Sequence, residues 1–381
     1  MSAVVVGALR TPIGSAGHGL REYDAAALAA PVLARLVTDL DPEAPLADDV
    51  VLGNCQGPGG DVARVAALAA GLDVGVPGLT VDRQCGSGLA AIEVAVGQVA
   101  AGADLVLAGG TESASTAPWR SWPPVGDAAP VRFERSPFTP PGWDDPDMGL
   151  AADLLAAEHG ITRARQDAYA ARSHRRAYAH QQAGGCDREI VALGGLDRDE
   201  RIRPGLDEAR LARLRPTFRA ATDGGTVTAG NACGVNDGAA AVALVSPGLH
   251  ATLRRPGLRV LACATSGVDP ARPGIGLVPA VRRVLERARP GLDDLDAIEL
   301  NEAFAGQVLA CCDALGLDEQ RVCPEGGALA LGHPWGASGA ILLVRLFSRL
   351  VASGRGGRGL AAIAVGGGQG VAIVVEAVPA C

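Results

Sequence analysis

Lysine is absent: all 34 basic residues of this 381-residue chain are arginine. Schiff-base chemistry on a lysine and a Walker-type phosphate lysine are therefore excluded. No basic cluster occurs either, and the formal net charge is −8. That balance argues against nucleic acid and against anionic membranes as partners. No apolar run reaches the roughly 18 residues that a bilayer span requires. The opening stretch "MSAVVVGALRTPIG" has neither a charged leader nor a full hydrophobic segment of the signal-peptide kind, and it reads as a first strand. The nine cysteines, at positions 55, 85, 186, 233, 263, 311, 312, 323 and 381, are odd in number and include no C-x-x-C pair. A reduced, cytoplasmic protein fits that pattern better than a disulfide framework or a zinc site.

What is present is a globular composition, with 48% apolar and 20% charged residues, long enough for two or more domain-sized units. Short apolar strands alternate with Ala/Leu-rich helices, which argues for α/β layers. The chain also repeats itself. "LADDVVLGN" (46–54) parallels "LDDLDAIELN" (292–301), and "CGSGLAAIEVAVGQVAAGADLVLAGG" (85–110) parallels "GASGAILLVRLFSRLVASGRGGRGLAAIAVGGG" (336–368). "AVVVGALRTPIG" and "LRVLACATSGVD" match in pattern too. Two similar halves, 1–245 and 246–381, are expected to pack face to face with helices buried between them. Residues 116–222 interrupt the first half with a proline- and tryptophan-rich stretch and two amphipathic helices, at 149–159 and 162–183. This insertion is either a cap over substrate or a surface excursion, and its place beside a nucleophile turn favours the cap.

In "VDRQCGSGLA" (81–90) a cysteine stands where a strand turns into a helix. A thiol at a helix N-terminus meets the positive end of the macrodipole and a row of free N–H groups, which lowers its pKa and makes it nucleophilic. The same N–H groups can form an oxyanion hole. Gly86 and Gly88 allow a tight turn. A buried core cysteine remains the equal alternative from this stretch alone. A thiolate needs a proton partner. His18, His159, His174, His180 and His250 lie in polar or helix-surface contexts and read as solvated. His333 instead lies among glycines in "GGALALGHPWGASGA", before the helix that repeats the one after Cys85. Asn301 and Glu302 end a buried strand in "ELNEAFAG", and "VGGGQG" (365–370) offers backbone N–H groups.

These four stretches, in this order, closely resemble the thiolase family: "CGSG", "NEAF", "GHPWGASG" and "GGGQG". "LRTPIG", "AGGTESAS", "MGLAADLLAAEHGITRARQDAYAARSH" and "LRPTF…GTVTAGNACGVNDGAAA" extend the resemblance over essentially the whole chain. It implies a thiolase fold, with two similar α-β-α-β-α halves related by pseudo-twofold symmetry and a loop-domain insertion. It implies an acyl group carried on Cys85, His333 activating the thiol and polarising the thioester oxygen, and Asn301 holding a water in one oxyanion hole. The N–H groups of Cys85 and Gly366 would form the other hole. Coenzyme A thioester, or a carrier-protein thioester, would be substrate, with no permanently bound cofactor and no metal. Arg203 would contact a phosphate of coenzyme A, Cys233 would lie near the pantetheine, and Met148 and Phe304 would line the acyl pocket. Glu302 would support the site from behind or simply cap a helix. A homodimer or homotetramer is implied.

The resemblance breaks at the second cysteine of the family's "CxGGG" stretch, where this chain has Ala364; the alternative position within "NEAF" is Ala303. A placed acid/base is worth about 10²–10⁴-fold in rate, so slow thiolysis and slow non-decarboxylative condensation are expected. Cys233 replaces a serine, Trp335 an aliphatic residue and Asp147 a histidine found in many members. Cys233 is a displaced base or, preferably, a conservative neighbour. Trp335 narrows the pocket or fills core. The leading function is C-acyl transfer through acyl-Cys85. The alternatives are a specialised or decarboxylative acyltransferase and, less favoured, a non-catalytic scaffold.

Overall fold

The computed structural model describes residues 3–40, 45–133 and 135–380; Cys381 and the first two residues lie outside that set. The strands are β1 (Val4–Arg10), β2 (Gly14–Ser15), β3 (Asp49–Gly53), β4 (Gly78–Val81), β5 (Leu105–Ser113), β6 (Arg120–Trp122), β7 (Val131–Phe133), β8 (Asn236–Val245), β9 (Gly257–Gly267), β10 (Ala297–Leu300), β11 (Arg358–Val365) and β12 (Gln369–Val378). The helices are α1 (Ala25–Asp39), α2 (Val62–Ala69), α3 (Ser87–Ala100), α4 (Met148–Glu158), α5 (Arg163–Gln182), α6 (Glu208–Leu211), α7 (Pro247–Leu253), α8 (Leu277–Ala288), α9 (Ala305–Leu315), α10 (Ala328–Leu331) and α11 (Trp335–Phe347).

The duplication seen in the sequence is visible in the sheet. The strand order is β10-β11-β12-β9-β1-β8-β5-β3-β4. Read outward from the centre, β1-β8-β5-β3 and β9-β12-β11-β10 are the same path, with β5–β3 and β11–β10 the parallel pairs in each. The two half-sheets meet edge to edge through a short antiparallel ladder, Val4 opposite Arg259 and Val5 opposite Leu258.

Side-chain alternation along the strands builds three hydrophobic layers. In β8, Ala240, Val242 and Leu244 face a central core, while Ala239, Ala241, Ala243 and Val245 face α1 and α2. In β12, Val371, Ile373 and Val375 face the same central core, while Ala372 and Val374 face α8 and α9. Helices α3 and α11, one from each half, share that central core. The five layers, α-β-α-β-α, are thus made by the two halves together. The helical segment 335–352 is long and apolar enough to cross a membrane, but 67% of it is buried inside the molecule, as a core helix would be.

The insertion contains the β6–β7 hairpin, α4, α5 and α6. Asp147 caps α4 by accepting from the Gly149 N–H, and Thr162 caps α5 by accepting from the Arg165 N–H. The segment after α5 is tied back to the first strand by a fully buried ion cluster. Arg10 reaches Glu189 at 2.8 Å and Asp199 at 2.7 Å, and Arg345 of α11 reaches Glu189 at 2.7 Å.

Candidate active site

The nucleophile turn is locked from both sides. Gln84 adopts φ +44°, a strained conformation for a residue with a side chain. Its N–H donates to Asp82 Oδ1 at 2.7 Å, and Ser87 Oγ accepts from the Arg83 N–H at 2.8 Å and donates to the Gln84 carbonyl at 2.6 Å. The left-handed residue is therefore Gln84, and the glycines serve close packing. A Cβ on Gly86 would stand 2.7 Å from Val365, and one on Gly88 would stand 2.7 Å from the Ala340 nitrogen of α11. Cys85 is left half-exposed at the head of α3.

The thiol is not acidified at rest, contrary to expectation. Burial pushes Cys85 up to about 11; the N–H groups of Gly366 and of Cys85 itself pull the other way, towards the thiolate, and lose. Helix-end N–H groups help, but desolvation of the charged sulfur is the larger effect. His333 lines the same cavity as Cys85. Its backbone N–H donates to Asn236 Oδ1 at 3.0 Å. Its Nδ1 lies 2.5 Å from Ser338 Oγ and its Nε2 lies 3.5 Å from Asn301 Nδ2. The Asn301 amide can only donate through that nitrogen, so Nε2 accepts and Nδ1 carries the proton towards Ser338. Burial pulls His333 down to about 4, so the imidazole is neutral near neutral pH, with the Nε2 lone pair free.

Cys85, His333 and Gly366 line one cavity of about 120 Å³, together with Met148, Phe304, Cys233, Trp335, Ala303 and Ala364. Six of the eight predicted site residues, Cys85, His333, Gly366, Cys233, Met148 and Phe304, thus come together here, drawn from both halves and the insertion. Phe138 of the insertion closes over the glycine loop: a Cβ on Gly366 would stand 2.6 Å from its ring. Asn301 touches the cavity through His333. Arg203 does not line it. That side chain is exposed, and its backbone N–H donates to His174 Nδ1 at 3.1 Å. Glu302 does not line it either. It accepts from Tyr169 at 2.9 Å, Ser173 at 2.7 Å and the Leu329 N–H of α10 at 3.2 Å. Two histidines read as solvated are corrected here. His174 is 2% and His250 5% exposed.

Sequence reasoning missed three residues that hold the site. Ser338 and Asn236 orient His333. Glu112, at the end of β5, accepts from the Gly336 N–H at 3.1 Å, from Asn54 Nδ2 at 3.0 Å and from the Cys55 and Gln56 N–H groups. It ties the start of α11 to the loop after β3. Both Ser338 and Glu112 lie inside recognised motifs, "GASG" and "AGGTESAS", but nothing local says what they touch.

A cysteine on a locked turn, with a neutral histidine and backbone donors at a cavity between two similar half-sheets, defines a cysteine-dependent α/β enzyme. Residues 3–247 match the thiolase N-terminal domain and residues 255–377 the thiolase C-terminal domain. An acetyl-CoA acetyltransferase of Pseudomonas aeruginosa is 42% identical, over 98% of each chain, and one of Chromobacterium violaceum is 40% identical, over 99% of this chain and 100% of the other. The crystal structure of the Bacillus anthracis acetyl-CoA acetyltransferase superposes with a TM-score of 0.89 at 36% identity, covering 99% of both chains. The chain belongs to the thiolase family and is an acyltransferase of that family.

Proposed function

We propose that the enzyme transfers acyl groups between coenzyme A thioesters through an acyl-Cys85 intermediate. The observation that carries this reading is the convergence of Cys85, His333 and Gly366 on one cavity. His333 Nε2 takes the Cys85 proton as the sulfur attacks the thioester carbon. Thiol and imidazole are both neutral at rest, so the ion pair forms only as the bond is made. The negative charge that develops on the thioester oxygen is met by the N–H groups of Cys85 and Gly366, while Asn301, paired through Nδ2 with His333 Nε2, holds a water in a second oxyanion hole. The carbon–sulfur bond to coenzyme A then breaks and leaves the acyl group on Cys85. Met148 and Phe304 shape the acyl end of the cavity, and Trp335 narrows it. Arg203, exposed outside the cavity, contacts a phosphate at the far end of the coenzyme. The chain works in a reducing cytoplasm; the eight described cysteines are free thiols. It assembles as a homo-oligomer, for which the outer edge of β4, with Leu79 40% exposed, is available.

Intact-mass measurement after mixing with acetyl-CoA tests the proposal. One added acetyl group, mapped to Cys85 and absent from Cys85→Ala, is expected; no adduct, or an adduct on another cysteine, overturns it. Arg203→Ala should raise KM for the donor several-fold with kcat nearly unchanged, because a phosphate grip serves ground and transition states alike.

A further inference from the structure

Condensation of two thioesters needs a group that removes a proton from the α-carbon of the acceptor. Of the side chains lining the cavity, only those of Cys85, Cys233 and His333 ionise. Cys85 carries the acyl group at that stage. His333 Nε2 is paired with Asn301 Nδ2 at 3.5 Å and, in the acyl-Cys85 reading, already serves the proton of Cys85. Cys233 remains. Its backbone N–H donates to the Ala303 carbonyl at 2.9 Å, and the adjacent Ala232 bridges to Phe304. The thiol is therefore carried to the wall that Ala303 leaves without an ionisable group. Ala364, on another wall of the same cavity, is equally silent.

The surroundings of Cys233 suit a reversible base. Arg201 donates to the Ala232 carbonyl at 3.1 Å, and a Cβ on Gly234 would stand 2.7 Å from its guanidinium. That positive charge favours the Cys233 thiolate, and the neighbouring Cys85 sulfur disfavours it while Cys85 is itself charged. An acylated Cys85 can carry no such charge. Burial holds the resting thiol protonated, up to about 12, so the base is made only during turnover.

We propose that Cys233 is the acid/base that exchanges the α-proton in this enzyme. This rests on the acyl-Cys85 reading above. In the first half-reaction the Cys85 proton goes to His333 and on to the departing coenzyme A thiolate, and the neutral His333 then takes the Cys233 proton. Cys233 thiolate and His333 imidazolium remain as a pair beside acyl-Cys85. In the second half-reaction Cys233 takes the α-proton of the acceptor, and the enolate carbon attacks the acyl carbonyl. The bond to the Cys85 sulfur breaks, and His333 returns its proton to that sulfur. Both thiols and the imidazole end as they began. Slow condensation follows from Ala364 only if Cys233 is a conservative neighbour, the alternative preferred from sequence.

The test separates two half-reactions in the full-length enzyme. Deuterium entry into the methyl group of acetyl-CoA in D₂O reports the α-proton step, and intact mass reports acylation of Cys85. The wild type should show both. Cys233→Ala and Cys233→Ser should lose exchange at least about 100-fold more than they lose acylation, within the 10²–10⁴-fold range of a placed acid/base. Adding Ala364→Cys to Cys233→Ala should restore exchange, because that side chain opens into the same cavity. A Cys233→Ala enzyme that exchanges within threefold of wild type overturns the proposal. So does a wild type that acylates Cys85 but exchanges nothing, and so does a parallel loss of exchange and acylation. A wild type that never acylates Cys85 refutes the acyl-enzyme reading instead.

Discussion

Ser338 is the residue that fixes the His333 imidazole. It lies one turn into α11, and its hydroxyl, 2.5 Å from His333 Nδ1, holds the tautomer whose free lone pair is on Nε2. Removing it leaves a buried N–H without a partner and lets the ring turn. A net hydrogen bond of this kind is worth about 1–1.5 kcal/mol, so Ser338→Ala should slow acylation of Cys85 by about tenfold. Stopped-flow acylation at saturating acetyl-CoA measures it, and an unchanged rate would show that Ser338 does not orient the base. Cys85 illustrates the same scale from the other side. Its helix-end position and its burial act in opposite directions, and burial prevails.

At the scale of elements, the site depends on how closely α3 and α11 approach. Gly88 and Gly336 permit that contact: a Cβ on Gly88 would stand 2.7 Å from the Ala340 nitrogen and 2.9 Å from the Gly336 carbonyl, both backbone atoms that cannot swing aside. Gly88→Ala should destabilise by about 1–3 kcal/mol through overpacking and should lower acylation as the two catalytic turns separate. Gly97 lies on the same helix, exposed and with nothing within 4 Å of a Cβ. Gly97→Ala should stabilise by about 0.5–1 kcal/mol. Thermal melts of the pair give opposite signs if α3–α11 packing sets the cost; equal shifts would remove that explanation.

At the scale of the molecule, acid should unfold the protein through its buried histidines. His333 and His174 are both pulled from 6.5 down to about 4 by burial. Each group's folded pKa lies below its unfolded one, so the unfolded chain binds more protons between those values. Stability is full above about pH 6.5 and falls as pH drops towards 4, by about 3 kcal/mol for each group. Glu189, held down to about 2 by Arg345 and Arg10 against burial, adds a second loss only below its ordinary range near 4.3. Urea midpoints should therefore fall markedly between pH 7 and pH 4.5. A midpoint that stays level over that interval would mean that neither imidazole is kept neutral by the fold.

The order of elements, the internal repeat, and the two helices α4 and α5 were legible in the sequence, as were the cysteine turn and the histidine turn that the structure brings to one cavity. Each is written locally, in apolar period, turn residues and motif order, and the repeat adds a second copy that confirms the first. Which groups share a cavity, and in what state of charge, was decided only by tertiary structure. Cys233 is about 150 residues from Cys85 in the chain and 100 from His333, yet lines the same space. His174 looked solvated among arginines and is buried. Gly88 looked like a turn residue and is a point of contact between helices. Ionisation and close packing depend on what covers a group from every side, and most of that cover comes from residues far away in sequence.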